Sequence, residues 1–189
     1  MSKIKLMAIL LFVLQSFSFA YSEQEISEAL KRQAKLAKID EKVLYTIAKI
    51  ESGFKPYLIS FVSEHQNYIF KNLQINIKKY GDRYIVSLSG SKENIIKTAK
   101  MLFKDEFSID VGLMQINSQN FKADEIEKMF ELDYNIEKAT TILKLCNDKY
   151  SEIARIIECY NKGYTKVSQF SYFNRFKKSF LKDFAGVKL

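Results

Sequence analysis

The chain has 189 residues, 47% apolar and 28% charged, with one proline, six glycines and a formal net charge of +8. Those fractions exclude a disordered chain, the length fits one domain with a sizeable core, and the scarcity of proline and glycine disfavours a turn-rich β architecture. Two cysteines and one histidine, His65, cannot make a four-ligand zinc site; no metal and no cofactor is expected.

The first element is an export leader over residues 1–20. Lys3 and Lys5 form a positive start, Leu6 to Leu14 an apolar run, and Ser18-Phe19-Ala20 a small-residue exit. The run is too short to span a bilayer, and no later stretch is long enough. The mature chain is expected to begin near Tyr21 and to lie in the periplasm, with an uncleaved N-terminal anchor as the alternative. Losing Lys3 and Lys5 leaves a charge of about +6. The basic residues are scattered among acids, as on a solvated surface. For an exported chain the nearer anionic partners are membrane head groups and wall polymer, not nucleic acid.

Ser22-Glu23-Gln24-Glu25 is a capping-box pattern that predicts a helix over 23–38. Asp40 caps a second helix with Val43, Leu44, Ile47 and Ala48 on its apolar side, and Gly53 and Pro56 stop it just after Glu51. Residues 57–107 have a different texture. Leu73, Ile75 and Ile77 alternate with polar residues, Tyr80-Gly81-Asp82 can turn, and Tyr84 to Leu88 run back as a second strand. Ser91 then caps a helix with Ile95, Ile96, Ala99, Leu102 and Phe103 on one side. The segment reads as an inserted β-hairpin plus helix.

Helical periodicity returns after residue 118. A short helix is expected over Ala123 to Phe130, a longer one capped by Asn135, and another capped by Ser151. Phe173, Phe176, Phe180 and Phe184 form a stripe in the tail that is expected to pack the core. Cys146 and Cys159 read as a disulfide in an oxidising compartment, closing a short loop for roughly 3 kcal/mol, with two buried free thiols as the alternative.

Three segments carry chemistry that packing does not need: Glu51-Ser52, Asp110-Val111-Gly112-Leu113-Met114-Gln115-Ile116-Asn117, and Cys159-Tyr160-Asn161-Lys162-Gly163. In this order they resemble the soluble lytic transglycosylases, the goose-lysozyme-like enzymes that cut peptidoglycan. That family is marked by a Glu-Ser pair ending a helix, then Gly-Leu-Met-Gln, then Ala-Tyr-Asn-x-Gly. The chain departs from it at Cys159, which replaces the alanine and fits a bridge to Cys146, and in the long gap that the 57–107 segment fills. Its look is nearest the small transglycosylases of type IV secretion and related envelope machines.

The resemblance implies a mainly α (α+β) lysozyme-like domain over 21–189 that acts as a monomer on peptidoglycan glycan strands, with secretion or other envelope assembly proteins as possible partners. It implies that Glu51 acts alone as acid and then base, making 1,6-anhydromuramic acid. Ser52 and Tyr160 would hydrogen-bond near its carboxyl. Gln115, Asn117 and Asn161 would bind sugar groups, Met114 would pack beneath a sugar ring, and Gly112 would let the backbone approach the glycan. Met114 as plain core and Asn161 as a helix cap are the bland alternatives. Two functional alternatives stand beside this: a muramidase-type hydrolase with Asp110 as base, and a non-catalytic wall-binding scaffold.

Overall fold

The computed structural model describes residues 21–186; the expected leader lies outside the described residues. Helix α1 (Glu23–Ala37) starts as its sequence predicts. Ser22 Oγ accepts the Glu25 N–H, and the Glu25 carboxylate accepts the Ser22 N–H at 2.7 Å, so two otherwise unpaired donors are satisfied reciprocally. Asp40 caps α2 (Glu41–Ser52) by accepting the Lys42 N–H. Gly53 ends it in the left-handed region (φ 60°), donating its N–H back to the Lys49 carbonyl.

The segment between the second helix and the Gly-Leu-Met-Gln motif contains the expected hairpin, β2 (Leu73–Tyr80) and β3 (Arg83–Gly90), and the expected helix α3 (Lys92–Lys104). It also contains β1 (Leu58–Ser63), which pairs with β3 along its whole length. Two short strands follow, β4 (Ile109–Val111) and β5 (Ile116–Asn117), giving an antiparallel sheet in the order β2-β3-β1-β4-β5. The hairpin is therefore continuous with the strands that carry the motif. Ile59, Phe61, Val86 and Leu88 are buried from this sheet, and α3 covers it with Ile95, Ala99 and Leu102.

The rest is helical: α4 (Leu132–Lys149), α5 (Ile153–Lys162) and α6 (Ser171–Asp183). Helix α1 packs on α2 and α4, α4 on α5, and α6 on α5 and α2. Three expectations need correction here. Residues 123–130 form two 3-10 turns, Ala123–Glu125 and Lys128–Phe130, because Ile126, Met129 and Phe130 must all turn inward within five residues. Asn135 does not cap α4, which begins at Leu132; it sits inside the helix and is buried. Ser151 does not cap α5 either, since Glu152 holds the N-cap position without a side-chain hydrogen bond. The tail stripe packs as expected, with Phe176 and Phe180 buried and Phe173 and Phe184 partly so. Cys146 and Cys159 form a disulfide that joins α4 to α5.

Candidate active site

Glu51 stands in the last turn of α2, half-buried where α2 meets α6. The Tyr172 hydroxyl, in the first turn of α6, donates to Glu51 Oε1 at 2.5 Å. Burial raises the Glu51 carboxyl to about pKa 7. The hydrogen bond from Tyr172 and the Arg175 guanidinium pull it down, while the charge of Asp110 pushes it up. Arg175 lies over the Tyr172 ring, 5.2 Å from its centroid. Burial and the neighbouring Glu51 charge hold the hydroxyls of Tyr172 and Tyr160 well above the ordinary tyrosine range, so both remain donors. At the other end of α6, Lys49 Nζ and Asp183 form an ion pair at 2.6 Å, fastening the two helices a second time.

The Gly-Leu-Met-Gln segment is a tight turn between β4 and β5, held from three sides. From β1, the Leu58 carbonyl accepts the Gly112 N–H at 2.9 Å and the Gln115 Nε2 at 3.3 Å. From α4, Asn135 Oδ1 accepts the Met114 N–H at 2.7 Å, and its Nδ2 donates to the Val111 and Met129 carbonyls. From α5, the Tyr160 hydroxyl donates to the Met114 carbonyl at 2.7 Å. Gly112 has φ 79°, and a Cβ there would stand 2.4 Å from Asn135 Nδ2 and 2.6 Å from the Met129 carbonyl oxygen. The close approach that requires glycine is thus to the protein's own α4 side. Gln115 also adopts a left-handed backbone (φ 47°), steadied by a bond from its Nε2 to the Gly112 carbonyl.

Several expected site residues lie where their sequence positions suggested but make different contacts. Ser52 does not reach Glu51; its hydroxyl donates to the Ala48 carbonyl and accepts the Lys55 N–H, closing the helix end. Tyr160 likewise bonds Met114 rather than the Glu51 carboxyl, because its helix, α5, faces the turn. Met114 has no exposed surface, so its side chain is core and its peptide groups, bonded to Asn135 and Tyr160, are buried with it. Asn117 caps a 3-10 turn through its Oδ1 and donates Nδ2 to Asp110 Oδ1 at 2.8 Å. Asp110, half-buried on β4, has a raised pKa from burial, which the Asn117 bond opposes. Asn161 is exposed at the end of α5.

The sequence reading missed Tyr172, Arg175 and Asn135. A signal existed for the first: Tyr172, Phe176 and Phe180 recur every four residues on one buried face of α6. A tyrosine among phenylalanines on such a face carries a hydroxyl that must find a partner. Among the described residues, no three or more His, Cys, Asp or Glu side chains are grouped so as to hold a metal ion. A family model described as Transglycosylase SLT domain matches residues 28–180. No curated protein and no solved structure gives a match.

Proposed function

The chain belongs to the transglycosylase SLT domain family, whose members are peptidoglycan lytic transglycosylases, and from that premise we propose that it cleaves the β-1,4 bond between N-acetylmuramic acid and N-acetylglucosamine with Glu51 as sole acid and base. The observation that carries this reading is a half-buried carboxyl with a pKa of about 7, gripped on one oxygen by Tyr172. Such a group is substantially protonated near neutral pH and can give up its proton, the property a general acid needs.

In the proposed sequence the Glu51 proton passes to the glycosidic oxygen as the bond to the muramic acid C1 breaks. The acetamido oxygen of the same sugar stabilises the cationic carbon, the substrate-assisted exception to the two-carboxylate rule. Glu51, now a carboxylate, accepts the proton of the 6-hydroxyl while that oxygen bonds to C1. The net change moves one proton between two substrate oxygens, closes a 1,6-anhydro ring and consumes no water. Tyr172 holds Oε1 and leaves Oε2 toward the glycan; Arg175 limits how far burial raises the pKa. Gln115, whose Nε2 is held by the Leu58 and Gly112 carbonyls, offers its Oε1 to the sugars, and Asn161 offers its amide. The Met114 peptide, fixed by Asn135 and Tyr160, anchors the turn from within, and Gly112, Ser52 and Asn117 support the turn, the helix end and Asp110.

A hydrolase reading has one observation in its favour, the charge of Asp110 bearing on Glu51. Mass spectrometry of digested peptidoglycan separates the two: anhydro ends support the ring-closing route, and reducing ends overturn it. Glu51→Gln is expected to release neither product; a Glu51→Gln chain that digests wall as fast as wild type would overturn Glu51 as the acid, and a wild-type chain that releases no fragment would mark a scaffold. Export to the periplasm with removal of a leader near Tyr21 is part of the same proposal, supported by the leader pattern and by a disulfide, which persists in oxidising compartments. Service to a secretion-type envelope machine is supported by the Gly-Leu-Met-Gln-Ile-Asn stretch, the small size and the paired cysteines.

A further inference from the structure

We propose that Glu158 is a positioning residue that sets Tyr172, and through it the carboxyl of Glu51; the inference rests on the reading of Glu51 as the acid. Helix α6 starts without help from its own N-cap, because Phe170 has no side-chain acceptor and makes no cap bond. The acceptor comes from α5 instead. Glu158, 1% exposed, takes the Phe173 N–H on its Oε2 at 2.8 Å. The residue beside Phe173 is Tyr172, whose hydroxyl reaches Glu51 Oε1. An acidic group at a helix N-terminus is also favoured by the helix dipole.

Two features separate this contact from ordinary packing. Among the described residues, the other carboxyl oxygen, Oε1, is buried without a hydrogen-bond partner, and a buried orphan acceptor is costly to a fold. An apolar side chain would avoid that cost but would leave the first turn of α6 without its acceptor. Next in sequence, Cys159 is bonded to Cys146 on α4, so the helix that carries Glu158 is itself fastened. The contacts thus run from the disulfide through Glu158 and the α6 first turn to Tyr172 and Glu51.

The test uses the mature chain with Glu158→Met, which removes the acceptor at similar length, and Glu158→Gln, which keeps one. Each is made with Tyr172 intact and with Tyr172→Phe. Release of anhydro-muropeptides is followed across pH, and melting curves establish folding. Glu51 is faced by Tyr172 and Arg175 from α6 and by Asp110 from β4, and its charge also bears on Tyr160 from α5; none of these is altered by the Glu158 changes. Glu158→Met is expected to lower kcat about tenfold at unchanged KM and to move the alkaline limb of the pH profile upward by about half a unit. Glu158→Gln is expected to restore both. With Tyr172→Phe, Glu158→Met should change neither quantity further. An equal loss from Glu158→Met in both backgrounds, or a loss in Glu158→Gln matching that in Glu158→Met, overturns the positioning role alone. An unaltered rate and profile in Tyr172→Phe itself overturns the Tyr172–Glu51 reading and the positioning role with it.

Discussion

The Tyr172 hydroxyl donates to Glu51 Oε1 across 121 positions of sequence, so the end of α2 and the start of α6 share one proton-bearing contact. The bond favours ionised Glu51 and holds its pKa down. Tyr172→Phe is expected to raise that pKa, shifting the alkaline limb of activity upward, and to lower kcat by about 10- to 100-fold through lost alignment. Initial rates between pH 5 and 9 check this, and an unmoved limb would refute it.

Asp110 acts in the opposite sense, since its charge raises the Glu51 pKa. Asp110→Asn should therefore move the alkaline limb downward by a fraction of a unit while anhydro products persist. If Asp110 were the base of a hydrolase, the same substitution would abolish turnover. Product analysis and the pH profile of one variant thus answer both questions.

Glu51 also links acidity to stability. Its folded pKa, about 7, lies above that of an unfolded glutamate. The stability tied to its bound proton is complete below the unfolded value and is lost as pH rises through 7. Glu51→Gln carries no such loss, so it should be more stable than wild type by about 2 kcal/mol at pH 8, allowing for partial exposure, and similar at pH 4. Urea midpoints at the two pH values measure the difference. Equal gains at both would show that titration is not the cause.

Gly112 is the position least able to change. A Cβ there meets the Asn135 amide and the Met129 carbonyl at under 3 Å, with φ at 79°. Gly112→Ala is expected to destabilise by about 3 kcal/mol, from strain together with displacement of Asn135. Asn135→Ala, which strips three hydrogen bonds from the same turn, should lose a comparable amount. Thermal melts of both variants report the result; a Gly112→Ala chain as stable as wild type would contradict this packing.

The Cys146–Cys159 bridge spans 13 positions. Reduction, or replacement of both by serine, is expected to lower unfolding free energy by about 3 kcal/mol in the loop-entropy account. Denaturant titrations with and without reductant test it, and unchanged midpoints would mean that α4 and α5 hold together without the bridge.

What the sequence disclosed follows from range. Ser22 with Glu25, and Asp40 with Lys42, are partners within a few residues, so pattern alone locates the helix starts. The β2–β3 hairpin is equally local. Strands β4 and β5 span three and two residues, too short for any periodicity to register; β4 exists because β1 supplies a long-range partner, and β5 because it folds back on β4. Asn135 misleads for a related reason: a polar residue near a helix start looks like a cap, and only the turn at 112–115, more than twenty positions away, shows that it serves another segment. In the site, Glu51 could be picked out from motif order, but Tyr172 could be marked only as a hydroxyl on an apolar face in need of a partner, because nothing local to it encodes the carboxyl that it meets.

Helix α6 supplies that hydroxyl, and its Tyr172 follows Glu51 by 121 positions. A ribosome completes Glu51 long before Tyr172 exists, and domains form as the chain emerges from its N-terminal end. Until α6 docks, the carboxyl lacks both its cover and its donor, and an uncovered glutamate is ionised at neutral pH, with no proton to give. A chain whose α6 has not docked is therefore expected to be inert toward the wall. On this reading the acid becomes competent only once α6 is in place, which makes the docking of that helix a safety catch.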